Sequence, residues 1–269
     1  MTSIVSATLY GGLGNQLFQI AATISFALKH SADFIFKYEK TLGKRPTYWR
    51  NFLHKLLNKT STNIESTGYQ IITESDYNIA TLSNNVLLDG YFQSHLFFND
   101  YNSQLFQLFD IESHQARLTD KYQIAESSIS VHFRRGDYKQ LPDCHPIMPN
   151  DYYAESINYI LTCDTAICTI YYYCEDEDAA DIERVIAEFT PLFSGLSWIR
   201  MKADADWEEL VCMSCSKHHV IANSSFSWWG AYFNPRPDKI VCYPAQWFGP
   251  LVPKDVSAMF PEEWIKIWI

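Results

Sequence analysis

The sequence predicts an α/β protein built on largely parallel sheets and arranged in two halves, and three observations carry the prediction. Beyond residue 126, β-rich runs alternate with segments of helical period, the mark of successive βαβ units. The chain opens on one more strand–loop–helix unit. Between these regions, around residues 110–126, the apolar pattern weakens, which places the boundary between halves 1–120 and 121–269. A chain of 269 residues is long enough to give both halves a core.

Taken in order, residues 4–9 are strand-like and run into a loop at 10–14. A helix follows at 15–29, where Leu17, Ile20, Ile24 and Ala27 recur at spacings of three and four. Residues 40–85 are polar and irregular, rich in Lys, Asn, Ser and Thr, and read as a helix plus connections. A short strand is expected at 86–88 and a helix at 99–109. In the second half, strands at 128–133, 166–174, 197–201, 219–222 and 239–242 alternate with helices at 151–161, 178–189, 206–215 and 225–233. Ligands on such sheets sit beyond the carboxyl ends of the strands. Residues 132–137, 175–176 and 223–225 all follow strand ends, which favours one shared site.

Composition narrows the function classes. Hydrophobic residues make up 47% and charged residues 19%, the balance of a soluble globular protein. The net charge of −10 argues against a nucleic-acid partner, which needs broad basic surface, so any phosphate site must be local. No basic, apolar, cleavable leader opens the chain, and no apolar run approaches the ~20 residues of a membrane span. Seven cysteines, an odd number without a leader, fit a reducing cytoplasm better than a disulfide framework.

Arg134 and Arg135 end the apolar run of Ile129, Val131 and Phe133, with His132 and Asp137 close by. Guanidinium groups match phosphate oxygens bidentately and stay charged at any working pH, so the pair reads as a diphosphate clamp. The alternative is a structural Arg–Asp ion pair. The loop Gly11-Gly12-Leu13-Gly14-Asn15-Gln16 opens a helix after a strand, where backbone N–H groups attract anions or sugar oxygens and the amides of Asn15 and Gln16 can bind hydroxyls. A dinucleotide fingerprint would need glycine where Leu17 stands, so a nicotinamide site is disfavoured. Asn223, Ser224, Ser225 and Phe226 begin another helix, where hydroxyls either cap it or bind phosphate oxygens. Phe226, Trp228 and Trp229 read as core anchors rather than stacking platforms.

Two further patterns have plainer explanations. The acidic run 175–178 resembles the acid cluster of metal-dependent glycosyltransferases, but carboxylates also favour a helix start, and the expectation is no metal. Asp176 is expected to accept hydrogen bonds from a base or ribose. Cys212, Cys215, His218 and His219 have zinc-like spacing without a second cysteine pair, and structural burial is expected.

With GGLGNQLFQ at 11–19, HFRRGDY at 132–138, NSSFSWWGAYFN at 223–234 and CYPAQWF at 242–248, the chain resembles the bacterial α-1,2-fucosyltransferases of glycosyltransferase family 11. The motifs stand in the family's order and span nearly the whole chain. The resemblance implies a GT-B-like fold, two Rossmann-like halves facing across a cleft, with GDP-β-L-fucose bound chiefly by the second. It implies inverting transfer to the 2-hydroxyl of a terminal galactose, in an oligosaccharide or O-antigen repeat, without a cofactor or obligatory metal. Arg134 would hold the β-phosphate, Arg135 would brace the loop or meet the nucleotide, and His132 would meet guanosine. Asp137 would orient the arginines, and Ser224, Ser225 and Phe226 would line the pyrophosphate together with Asn223. Gly12, Gly14, Asn15 and Gln16 would serve the donor from the first half, with Asn15 approaching the fucose. The middle motif departs from the family's paired aspartates: Glu175 precedes Asp176, so the role of Glu175 is open.

Negative charge grows on the β-phosphate as the glycosidic bond breaks, so Arg134 is the first catalytic candidate. The base for the acceptor hydroxyl is left open among Asp137, which an arginine can tie up, Asp143, His145 with its suitable intrinsic pKa, and the departing phosphate itself. The expected partners are GDP-fucose and a galactose-terminated glycan, the expected location the cytoplasm, with peripheral contact at the inner membrane. The rival readings are a transferase of another linkage or GDP-sugar, and a non-catalytic glycan-binding module.

Overall fold

The computed structural model describes residues 2–82 and 84–269 and divides into two compact units, Met1–Glu112 with Ser257–Phe260, and Ser113–Val256 with Pro261–Ile269. In the first unit, β1 (Ile4–Ala7) is followed by α1 (Leu13–Lys29) and β2 (Asp33–Phe34). Two-residue pairings come next, β3 (Phe36–Lys37) with β6 (Thr60–Ser61) and β4 (Thr41–Leu42) with β5 (Arg45–Pro46). Then follow β7 (Gln70–Ile72), β8 (Val86–Leu88) and α2 (Asn102–Leu108). The main sheet is parallel, in the order β2-β1-β8-β7. Val5, Ala7, Val86 and Leu88 meet Ala22, Phe26 and Ala27 of α1 in one apolar cluster. Every residue from Gln16 to Ala27 is buried, so α1 is enclosed on all sides rather than carrying the one-sided stripe its spacing predicts.

The second unit begins within the first turn of α3 (Ile111–Tyr122). It continues through β9 (Ser128–His132), α4 (Asn150–Cys163), β10 (Thr169–Tyr173), α5 (Ala179–Leu192), β11 (Ser197–Arg200), α6 (Asp206–Cys215), β12 (His218–Val220), α7 (Ser225–Tyr232), β13 (Val241–Pro244) and β14 (Ile265–Ile267). All six strands are parallel, in the order β11-β10-β9-β12-β13-β14. This is the doubly wound arrangement, and the order reverses between β9 and β12, where such sheets open a crevice at their carboxyl ends. Every residue of β9 and β10 is buried, as expected for central parallel strands covered on both faces.

The structure differs from the sequence expectations in three places. Residues 40–85 hold no α-helix among those described, but a 3-10 turn at His54–Lys59, short pairings and β7. Residues 110–126 contain α3, whose buried stripe is only Ile111, His114 and Leu118, too narrow to register as a helical period. The boundary expected at residue 120 therefore falls inside a helix. Finally, β14 adds an edge strand that three residues of alternating pattern do not announce.

Candidate active site

The carboxyl ends of β9, β10 and β12 form the crest of the second sheet. The β9–β10 ladder extends one residue past His132, where Phe133 N donates to Tyr173 O at 2.9 Å. The chain then turns through Arg134, Arg135 and Gly136 into a 3-10 turn over Gly136–Gln140. This turn brings two carboxylates onto one guanidinium. Arg134 donates through Nη1 to Glu175 and through Nη2 to Asp137, and its Cζ lies 5.1 Å from the centre of the Tyr138 ring. Burial works against the Arg134 charge, but Glu175 and Asp137 outweigh it and push the pKa up. The cation is thus fixed, with only 18% of its side chain exposed.

Gly136 makes room for this arrangement. Its φ is +25°, and a Cβ there would stand 2.0 Å from Glu175 Oε2. Its N–H donates at 2.7 Å to the fully buried Asp178, which also accepts from Lys139. The acidic run is therefore largely spent on cations. Asp176 accepts from Arg200 at 2.6 Å and Lys202 at 2.7 Å, and those bonds hold its carboxyl below the usual range. The carboxylates of Glu175, Glu177 and Asp178 lie within 4.8 Å of one another, a spacing that can hold a metal, with Glu175 and Asp178 engaged as described. Burial raises Glu209 to about 7 at the same end of the sheet, where its Oε1 accepts from Ala203 N at 3.3 Å.

Around the clamp, several polar atoms are buried without a hydrogen-bond partner among the described residues: His132 Nδ1, His145 Nδ1 and Asn223 Oδ1. Burial, and secondarily the Arg134 charge, lowers His132 to about 3, so its imidazole is neutral at working pH. Its ring lies 5.9 Å from that of Phe226. His145 stacks on Tyr138 at 4.7 Å, and burial lowers its pKa against the pull of Asp137. Burial also takes the Tyr138 phenol up to about 12, and its hydroxyl donates to Asn223 O at 3.0 Å. Asn223 Nδ2 donates to Pro146 O and Trp247 O at 2.9 and 3.0 Å.

At the start of α7, Ser224 Oγ accepts from Phe226 N at 3.3 Å, the capping half of the expected alternative. Ser225 follows, half-buried at the first helical position. Trp228 and Trp229 are fully buried among Tyr232, Phe233 and Trp264, as core anchors should be. Arg135 is half-buried, and its charge acts on the Tyr153 phenol, which burial pushes up. Cys212 is buried and Cys215 half-buried, both free thiols that burial pushes up, and neither joins a metal-like cluster among the described residues.

The first unit places its glycine loop at the carboxyl end of β1. Gly11 has φ +84°, and a Cβ there would stand 2.6 Å from Asn15 Nδ2, so the glycine lets the Asn15 side chain lie over the loop. Gly12 caps α1 with no side-chain bond, and Gly14 is buried. Asn15 Oδ1 accepts from Gln93 at 3.0 Å. Gln16 is buried and donates to Gly11 O at 3.0 Å and Pro46 O at 2.9 Å, which makes it a brace of the loop. Thus His132, Arg134, Asp137, His145, Asn223 and Phe226 share one neighbourhood, while Gly12, Gly14, Asn15 and Gln16 share another in their own unit. Tyr138 and Glu175 belong to the clamp but were not among the residues expected to act, although both stand next to residues that were.

Residues 2–268 match the model of glycosyl transferase family 11. The chain belongs to that family. Among its relatives is an alpha-1,2-colitosyltransferase of Escherichia coli, 26% identical, with 98% of this chain and 99% of that protein aligned. An O-antigen biosynthesis glycosyltransferase of Escherichia coli, WbnK, is also 26% identical, over 82% of this chain and 73% of that protein. A solved structure of an Arabidopsis thaliana FUT1 mutant in complex with GDP superposes with a TM-score of 0.51 at 10% identity, covering 87% of this chain and 69% of that one. At that identity the likeness concerns the fold, which for this family 11 member is of the GT-B class with a parallel sheet in each unit. Among the described residues, no helix is long and apolar enough to cross a membrane.

Proposed function

We propose that this family 11 glycosyltransferase is an inverting α-1,2-fucosyltransferase that moves L-fucose from GDP-β-L-fucose to the 2-hydroxyl of a terminal galactose. The observation that carries the reading is Arg134, a half-buried cation held by two carboxylates and an aromatic ring at the reversal of strand order. A fixed cation there suits the β-phosphate, whose charge grows as GDP departs. Because it is preorganised, it needs no reorganisation in the transition state. In this reading Ser224, Ser225 and the α7 amides meet the pyrophosphate, and the orphaned atoms of His132 and Asn223 accept or donate to the nucleotide. Asp137 holds Arg134, Asp176 serves the base or ribose, and Asn15 meets donor hydroxyls. His145 is the candidate proton acceptor, since its ring stacks on Tyr138 beside the clamp and burial favours its neutral form.

No metal is required in this mechanism, because Arg134 supplies the positive charge. The test is GDP release from GDP-L-fucose in EDTA, with and without lactose, followed by linkage analysis of the product. Acceptor-dependent release and a Fucα1-2Gal product support the reading. GDP binding without release on any galactoside sinks the acceptor class, and absence of GDP binding sinks the whole assignment.

A second reading, transfer of colitose in the same α-1,2 linkage, is favoured by the relative named as a colitosyltransferase that aligns over nearly its full length. Competition between the GDP-linked forms of the two sugars separates them. The better donor is the one with the larger kcat/KM.

A further inference from the structure

The first unit has a reversal of strand order of its own. From β1 the chain crosses to β2 on one side, whereas β8 and β7 lie on the other. The β1–β8 junction is therefore a second place where a parallel sheet opens a crevice at its carboxyl ends. Three residues with no part in the donor reading meet there. Tyr10 follows β1, and Asp89 and Tyr91 follow β8. The rings of Tyr10 and Tyr91 stand 4.7 Å apart at 81°, edge to face. Burial pushes the Tyr10 phenol up to about 12, and the charge of Asp89, then Tyr91 and Glu74, add to the effect. The hydroxyl thus stays a neutral donor, within electrostatic reach of the exposed Asp89.

The backbone that carries these side chains is fixed in advance. Tyr10 N donates to Gln19 Oε1 at 3.0 Å, and the fully buried Gln19 returns a bond from Nε2 to Tyr10 O at 3.3 Å. Asp89 N donates to Ile72 O at 3.0 Å, extending the β7–β8 ladder by one residue. Glu74 Oε1 accepts from both Tyr91 N and Phe92 N at 2.8 Å. Gly90, at φ +157°, makes room for that carboxylate, since a Cβ there would stand 3.0 Å from Glu74 Cγ. Phe92 is fully buried at φ +52°, a strained conformation that its packing sustains. Gln93 Nε2 then donates to Asn15 Oδ1 at 3.0 Å, which joins the turn to the glycine loop. Within this locked turn Tyr91 keeps 39% of its surface exposed. A rigid aromatic face beside a carboxylate and a phenol suits a pyranose, which presents C–H bonds to the ring and hydroxyls to the polar groups. Galactose fits best, because its axial 4-hydroxyl leaves the C–H bonds at C3, C4 and C5 on one side of the ring. Glucose, with that hydroxyl equatorial, has no such face.

We propose that Tyr91 and Asp89, with Tyr10 behind them, bind the terminal galactose of the acceptor and select it over glucose. The proposal rests on the galactoside-transferase reading above, and its test keeps the two apart. Steady-state kinetics on the full chain use methyl β-D-galactopyranoside as acceptor and its C4 epimer, methyl β-D-glucopyranoside, as competing inhibitor. In the wild type the inhibition constant of the glucoside should exceed the KM of the galactoside by at least ~10-fold. Tyr91→Ala should raise the galactoside KM about tenfold, shrink that ratio, and leave the KM for GDP-L-fucose within about twofold. Asp89→Asn should do the same, since an amide offers one acceptor oxygen where the carboxylate offers two. Tyr91→Trp, which keeps an aromatic face, should retain the preference. Equal affinity of the wild type for the two epimers overturns the proposal. So does an acceptor KM that neither Tyr91→Ala nor Asp89→Asn changes, or a donor KM that rises in step with it. If the wild type releases no GDP with any galactoside, the functional reading falls and takes the subsite with it. An active wild type with indifferent variants removes the subsite alone.

Discussion

Arg134 is the residue on which most depends. If it stabilises the departing GDP, Arg134→Ala should lower kcat by about 10²–10³, as loss of one preorganised donor does, with a smaller change in acceptor KM. Steady-state kinetics with both substrates varied would read this, and a normal kcat would end the proposal. Arg134→Lys should recover little, because a single ammonium nitrogen on a shorter side chain does not reproduce the planar fork whose two ends reach Glu175 and Asp137 over the Tyr138 ring. Gly136 gives an independent check without touching a charge. Gly136→Ala drives a methyl group into Glu175, so it should loosen Arg134 and cost roughly tenfold to a hundredfold in kcat/KM. Glu175→Ala should remove the steric part of the Gly136→Ala loss and leave the part that the positive φ imposes on any side chain. Fully additive losses, with no relief of the Gly136→Ala cost when Glu175 is gone, would mean the steric link is wrong. At this scale the sequence was partly legible. Arg134, His132 and Asn223 announced themselves by charge and position, whereas Glu175 did not, because nothing in the run 175–178 says which carboxylate turns toward the arginine.

Elements position these residues, and α7 is the one whose start can be probed directly. Ser224 accepts from Phe226 N at the first turn, so Ser224→Ala should lower stability by about 1 kcal/mol in urea unfolding. If Ser224 also meets pyrophosphate, the same variant should weaken GDP binding, whereas Ser224→Asp should restore the cap and repel the nucleotide. A variant that loses stability alone would confine Ser224 to capping. The alternating strands and helices of the second unit were legible because buried parallel strands are continuous apolar runs between helical periods. The irregular stretch 40–85 was not, because pairings of two residues and a 3-10 turn leave no period to read. Nor was α3, whose inward stripe includes a histidine among charged neighbours.

For the whole molecule, pH is the informative variable. Burial lowers His132 to about 3 and depresses His218 and His219 on the adjoining strand. Unfolded, these imidazoles take up protons below about 6.5; folded, they resist them, so their contribution to stability is complete above that pH and falls as the pH drops, for His132 down to about 3. Glu209, raised to about 7, acts in the opposite direction as the pH rises from 4.5, but it is one group against several. Stability should therefore decline between pH 6.5 and 4.5. His132→Gln should flatten the slope by about 1.4 kcal/mol per pH unit, the weight of one proton. Urea denaturation at a series of pH values would show it, and an unchanged slope would mean His132 protonates freely.

The return of Ser257–Phe260 to the first unit, before Pro261–Ile269 rejoins the second, bears on protein engineering. Ser94 Oγ donates to Ala258 O inside that first unit, so the segment is bonded into it. A chimera that exchanges first units between two family members needs three junctions, near residues 112, 256 and 260, rather than one. A single crossover at 112 grafts a foreign unit onto the host's own tetrapeptide, and recombination libraries built that way will lose yield before they reveal anything about specificity.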